Sequence, residues 1–414
     1  MNIIERGGDV NIMSKRAAAL GAWTSVLGSV AVLIGGLVGA TGRARADEAD
    51  ETPRAAGYPT LSALQRRALG SFWREQRGAS ESVVNGLSWL VRHQAPSGGW
   101  EANGWATRCE QDGCPASETG LDGRFDVGLT SLAVAALLPA CEPSSQATAA
   151  VQRALRWLCS RQAEDGGLGW PASLGEGVYN HALATRALCD ALRDGVGREV
   201  EGVAAAAEAA VARCLAAQGR DGGWGYTPAR SDSSVTGVVV KALHAARRAG
   251  LAVPAEASGR ASDWLRRATD ARGVTGYVRP GDGSSFLPSN EGRYDPSSYL
   301  TALAANCRAL EGDAAAAAAS LPHLMAAAPT WSDRTVAFLY WYEGTRVVAR
   351  VGTGDDRRAW SRATLRALKE RQHRGGCGEG SWDPVDEWGA VGGRVYATAV
   401  NVLTLEVPLE LEAR

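Results

Sequence analysis

The sequence predicts an all-α chain whose helical hairpins close into a single (α/α)6 toroid, and three observations carry that reading. A Gln…Gly-Gly…large-apolar punctuation recurs along the chain: Gln94…Trp100, Gln162…Leu168, Gln218…Trp224 and, with a four-residue insertion, Gln372…Trp382. The segments before and after each turn carry apolar residues at helical spacing, as Val151, Ala154, Leu155 and Leu158 do. Strand-like alternation is nearly absent. Gln218 and Gln372 stand 154 positions apart. This leaves room for two more units, with Trp264–Tyr277 and Leu321–Trp331 as degenerate turns.

Each unit pairs a polar-faced helix with a more apolar one. The apolar members fall near 127–140, 178–192, 233–249, 296–310, 334–350 and 394–406. In the third, Val235, Val238, Val239, Ala242, Leu243 and Ala246 make a stripe wide enough to be covered on more than one side. One hairpin cannot bury such a helix alone, so the units must stack, and a ring leaves no raw end. Residues 60–408 read as that toroid, with an extra helix near Thr60–Arg77 packed outside it. Residues 47–59 read as an acidic linker and 409–414 as a tail.

Residues 1–46 read as a signal peptide. Lys15 and Arg16 precede an uncharged stretch, and Ala44-Arg45-Ala46 fits small-x-small cleavage before Asp47. The expectation is an exported protein, periplasmic or extracellular, with no transmembrane span after processing. An uncleaved membrane anchor is the alternative, and Met13 is a second candidate start. With export, disulfides become possible. Cys109 and Cys114 stand in a polar loop and form the candidate bridge. Most of the other cysteines, Cys159, Cys189, Cys214 and Cys307 among them, fall in helical patterns and read as buried thiols.

Composition narrows the function. Lys+Arg 44 against Asp+Glu 45 leaves no basic excess for nucleic acid. The five histidines are scattered and neither C-x-x-C nor H-E-x-x-H occurs, so no metal site is expected. No cofactor fingerprint is present either. What remains are polar residues opening the apolar helices. Asp126, Asp232 and Asp295 stand at helix starts, where a carboxylate caps free N–H groups but can also reach a central cavity. His181, with Tyr179 and Asn180, opens the second apolar helix; Tyr299, Arg394 and Tyr396 hold similar places. The aspartates and His181 are weak catalytic candidates, and the others are candidate ligand contacts.

The Q-x-x-x-G-x-W pattern, strict at Gln94…Gly98…Trp100 and Gln218…Gly222…Trp224, resembles the repeat of squalene cyclases and protein prenyltransferase β-subunits. The stretch Gly380–Ala399 resembles the ending of bacterial prenyltransferase/squalene-oxidase-repeat proteins. The resemblance implies a terpenoid-cyclase-like single barrel in which Gln94, Gln162, Gln218 and Gln372, with Trp100, Trp224 and Trp382, tie outer-helix ends to their neighbours. It also implies machinery that is missing. The cyclase D-x-D-D acid cluster does not occur, nor does the Asp-x-Cys of the transferase zinc site. The Gly376-Cys377-Gly378-Glu379 string resembles a thioester motif but has Gly380 where the glutamine should stand. The expectation is therefore a cavity binding a hydrophobic or extended ligand, such as an isoprenoid lipid, without cyclase or transferase chemistry. A glycan-active enzyme using convergent carboxylates is the alternative, and a protein-binding scaffold is a second one.

Overall fold

Among the described residues, six outer and six inner helices alternate along the chain, one outer member being a broken pair, and the reason lies in the turns between them. A computed structural model describes residues 77–108, 123–169, 177–227, 229–283, 298–332 and 336–411, all within one compact unit, Gly57–Arg414. The outer helices are α1 (Arg77–Arg92), α3 (Gln146–Ser160), α5 (Val203–Ala216), α7 (Ala255–Arg267), the broken pair α9 (Ala314–Ala318) and α10 (Leu321–Ala326), and α12 (Gly354–Lys369). The inner helices are α2 (Asp126–Leu137), α4 (Gly177–Asp194), α6 (Ser233–Arg248), α8 (Ser298–Leu310), α11 (Phe338–Val351) and α13 (Gly389–Leu411). Each inner helix packs on the next, and α13 returns to α2. The fold is an all-α (α/α)6 toroid, as the repeat predicts. The helix expected near 60–77 lies outside the described residues, apart from Arg77.

The recurring glutamines do one job. Gln94 Nε2 donates to Gly98 O within its own turn at 2.7 Å and to Ala150 O on α3 at 2.8 Å. Gln162 bonds Gly166 and Ala206, Gln218 bonds Gly222 and Ala257, and Gln372 bonds Gly380 and Ser82. Ser82 is on α1, so the last unit is tied to the first and the outer layer closes. One amide thus satisfies a turn carbonyl and a free carbonyl of the next outer helix. The turn glycines are forced by the same approach. Gly98, Gly166, Gly222 and Gly380 have φ of +98°, +81°, +95° and +92°, and an added Cβ would meet a backbone carbonyl oxygen at 2.2–2.6 Å.

Tryptophan closes three of the hairpins from inside. The indole N–H of Trp100 donates to Leu90 O, that of Trp224 to Cys214 O and that of Trp382 to Leu368 O, each at 2.8 Å. All three rings are buried. The backbone N–H that follows each turn donates into the inner helix: Trp100 to Thr130, Trp224 to Thr236, Thr275 to Thr301 and Trp382 to Thr398. In the second unit Leu168 N donates to His181 Nδ1 instead. These bonds set a common register for the inner helices. Thr185 and Thr345, each bonding the carbonyl four residues back, add Trp341 as the sixth equivalent position.

Among the described residues no helix is long and apolar enough to cross a membrane. Cys141, Cys159, Cys189, Cys214 and Cys307 are free, while Cys377 is disulfide-bonded. The expected bridge partners Cys109 and Cys114 lie outside the described residues.

Candidate functional site: the centre of the ring

Inner helices have no outer solvent face, so their part-exposed residues mark the centre. On α4, short of its C-terminal turn at Arg193 and Asp194, these are Tyr179, Leu183, Arg186 and Asp190, one stripe of the helix. The common register extends the stripe around the ring. Two residues before the turn-bonded position stand Tyr179, Ser234, Tyr299, Leu339 and Tyr396, and five residues after it stand Arg186, Lys241, Asn306 and Arg346. The first level is a rim of tyrosines at the inner-helix N-termini. The second is a polar floor, seven residues and about 10 Å deeper at 1.5 Å per residue. Between them lie Leu132, Leu183 and Val238.

The floor closes the ring's centre. Arg186 on α4 donates to the Tyr342 hydroxyl on α11 at 3.1 Å, and those two helices are opposite members of the six. Lys241 pairs with Glu343, both buried, and Asn306 Nδ2 donates to the other Glu343 oxygen at 2.6 Å. The centre of the ring between rim and floor is termed the basin.

The rim is a hydroxyl and carboxyl network. Tyr226 OH donates to Tyr179 OH at 3.2 Å, Tyr179 to Ser234 Oγ at 2.7 Å, and Ser234 to Asp232 Oδ1 at 2.5 Å. Asp232 also caps α6 by accepting the Val235 N–H at 2.9 Å. Burial raises its carboxyl above the ordinary range, against the hydrogen bonds from Ser234 and Val235. Across the rim, Asp386 accepts the Tyr396 hydroxyl at 2.7 Å and caps α11 through the Phe338 N–H at 3.1 Å. Burial moves Asp386 up to about 6. Its neighbour Glu387, only partly buried, is moved up to about 7 by burial first and by Asp386 second. Glu387 is thus a weaker acid than an ordinary glutamate and lies close enough to the rim tyrosines Tyr299 and Tyr396 to act on them electrostatically.

The residues singled out from sequence divide into two groups. Tyr179, Asp232, Tyr299 and Tyr396 come together at the rim. His181, Asn180, Arg394 and Asp126 do not join them. His181 accepts at Nδ1 and its Nε2 lies 3.2 Å from Ala210 O; burial lowers it to about 4, so the ring is neutral and both nitrogens are engaged. Asn180 ties the start of α4 to α2 through Gly128 N and Arg124 O. Arg394, which follows the break in α13 at Gly393, reaches Ser381 and Asp383 and lies over the Trp105 ring. Asp126 accepts the Ala102 N–H at 3.3 Å, and burial raises it to about 6. Asp295 lies outside the described residues. Sequence reasoning missed Asp386, Glu387, Tyr226 and Tyr277 at the rim and Arg186, Lys241, Asn306, Tyr342 and Glu343 at the floor. The floor has a readable signal: Arg186, Lys241 and Asn306 each stand five places after a turn-bonded residue, with Arg346 at the equivalent place on α11.

The architecture and its central basin define an (α/α)6 toroid with the terpenoid-cyclase-like arrangement. Solved structures of similar fold span two chemistries. The type II terpene cyclase MstE from Scytonema, in complex with merosterolic acid A, is 14% identical with a TM-score of 0.53, covering 82% of this chain and 99% of its own. An inactive variant of the α-1,6-mannanase GH76A of Salegentibacter, in complex with α-1,6-mannotriose, is 10% identical with a TM-score of 0.55, covering 80% and 99%. At these identities the likeness is one of fold. No family model and no curated protein matches the chain.

Proposed function

We propose that the basin takes the end of an extended, hydroxylated ligand, a glycan chain, and acts on it by acid catalysis with Glu387 as proton donor. The observation that carries this is the Asp386–Glu387 pair: Asp386 is locked by Tyr396 and the α11 N-terminus, and Glu387 holds its proton up to about 7. An acid of that strength suits a glycosidic oxygen, and is too weak to protonate an alkene. The floor supports end-on entry, because a chain cannot thread past Arg186 and Tyr342. The hydroxyl network from Tyr226 to Asp232 supplies donors and acceptors for sugar hydroxyls. The mannanase of similar fold has an inactive variant with two adjacent aspartates changed to asparagine, and an adjacent acidic pair is what the rim carries here.

One observation favours a second reading, an isoprenoid ligand bound without cyclisation. Leu132, Leu183 and Val238 form an apolar belt beneath rings that can face a hydrocarbon, and Leu339 stands at the level of those rings. A part-exposed centre speaks against the scaffold. In the same proposal the protein is exported after removal of residues 1–46, so its ligand is met outside the cytoplasm; N-terminal sequencing of secreted protein should begin at Asp47.

The test compares wild type with Glu387→Gln on α-1,6-mannooligosaccharides and on geranylgeranyl dihydroxybenzoate, with products read by mass spectrometry. Oligosaccharide cleavage lost in Glu387→Gln is the expected result. Binding of the geranylgeranyl dihydroxybenzoate with no change in any oligosaccharide would replace the glycan by the isoprenoid.

A further inference from the structure

The outward face of α12 carries a row of bases. Arg358, Arg362, Arg366 and Lys369 are exposed at i, i+4, i+8 and i+11, so they share one face and span about 16 Å at 1.5 Å rise per residue. The opposite face, with Trp360, Thr364, Ala367 and Leu368, is buried against the ring. Other outer helices hold their arginines down. Arg153 on α3 bonds Gln94, Arg260 on α7 bonds Gly219 O, and Arg266 pairs with Asp263. In the α12 row only Arg358 has a carboxylate partner, Asp355; among the described residues none lies within ion-pair distance of Arg362, Arg366 or Lys369. The helix dipole favours bases in the last turn, which accounts for Arg366 and Lys369 but not for Arg358 and Arg362 in earlier turns. A chain with a formal net charge of −1 thus concentrates positive charge on one helix face.

The row leads toward the rim. Beyond Lys369, the Arg371 guanidinium lies 5.6 Å from the Trp331 ring centroid. Trp331 packs on Phe338 with ring centroids 5.8 Å apart, and Phe338 lies 6.5 Å from Tyr396. Tyr396 in turn donates to Asp386, the neighbour of Glu387. One cation and three rings therefore connect the row to the basin's edge.

We propose that the α12 row holds an acidic glycan, a chain with a carboxylate on its repeating sugars, as the distal part of the basin's ligand. This names the substrate class and rests on the glycan reading. A short neutral oligosaccharide fills the basin alone, whereas a long acidic chain also reaches α12. Repeated carboxylates match bases set about one helical turn apart, and arginine takes carboxylates in bidentate pairs. Other polyanions fit the face less well. Trp360 is buried, so the row offers no ring on which the bases of a single strand could stack. The exposed large apolar side chains, Val278 and Val385, are not on α12, so a bilayer would be held there by charge alone.

The experiment titrates the full chain with polygalacturonate at low and high salt. Wild type should bind at low salt and release the polymer at high salt. Arg362→Gln with Arg366→Gln should weaken binding about tenfold. Arg266→Gln with Arg272→Gln removes the same charge from other exposed positions and should leave binding unchanged. No binding, or an equal loss in both double variants, would overturn the proposal. So would phosphatidylglycerol vesicles or a single-stranded oligonucleotide bound more tightly than polygalacturonate through the same two arginines, in favour of a lipid surface or a nucleic acid. Glu387→Gln should bind the polymer as wild type does. Failure of the glycan reading shows as uncleaved mannooligosaccharides, and failure of this one as polymer bound without regard to Arg362 and Arg366, so the two are separable.

Discussion

The turns of the outer layer and the centre of the ring were built under opposite rules. In four units the same amide makes the same pair of hydrogen bonds, and the same glycine passes under the next outer helix. At the centre, equivalent positions hold Arg186, Lys241, Asn306 and Arg346, each different from its neighbour in partner or type. Repetition marks what the fold requires of every unit. Variation at a fixed register marks what only the assembled ring can use.

The sharpest way to break that contrast is in the turns. Trp224→Ala removes a buried indole and leaves Cys214 O without its donor, so stability should fall by about 3–5 kcal/mol. An unchanged melting temperature would show that the third turn is not structural.

The centre should behave otherwise. Glu343→Met strands the Lys241 ammonium in the interior and should cost about 3 kcal/mol, whereas Lys241→Met with Glu343→Met should recover most of it. A double variant as unstable as the single one would mean that the floor holds the ring together as the turns do.

Smaller still is the pH dependence of the rim. The folded state keeps the Glu387 proton above the unfolded value of 4.5, so its contribution to stability is full below that value and lost as pH rises through about 7. The melting temperature of Glu387→Gln should therefore vary less with pH across that window than that of wild type. Parallel curves would sink the assignment.

The smallest expected effect concerns Cys377. Non-reducing peptide mapping should find it in a disulfide. A freely alkylated Cys377 would contradict the structure at the last turn.

The same contrast explains what could be read in advance. Gln218, Gly222 and Trp224 are legible because each makes a local bond, and a local need writes a local pattern. The inner helices are legible as helices because Val235 to Ala246 repeat at helical spacing. Lys241 and Glu343 were not legible as partners, since 102 residues separate them and only ring closure brings them together. Glu387 was hidden differently: it sits in the closing stretch, read there as part of a family ending, and its acidity depends on burial that no spacing reveals. His181 shows the reverse error, a chemically suggestive residue that stands in for the threonine of the other units.

The account depends most on one carboxyl group at the rim. Infrared difference titration of wild type against Glu387→Gln isolates the protonated-carboxyl band of that side chain. The band should persist to near neutrality and disappear with a midpoint near 7. A midpoint in the ordinary glutamate range would contradict the account, because the basin would then lack a proton donor at neutral pH.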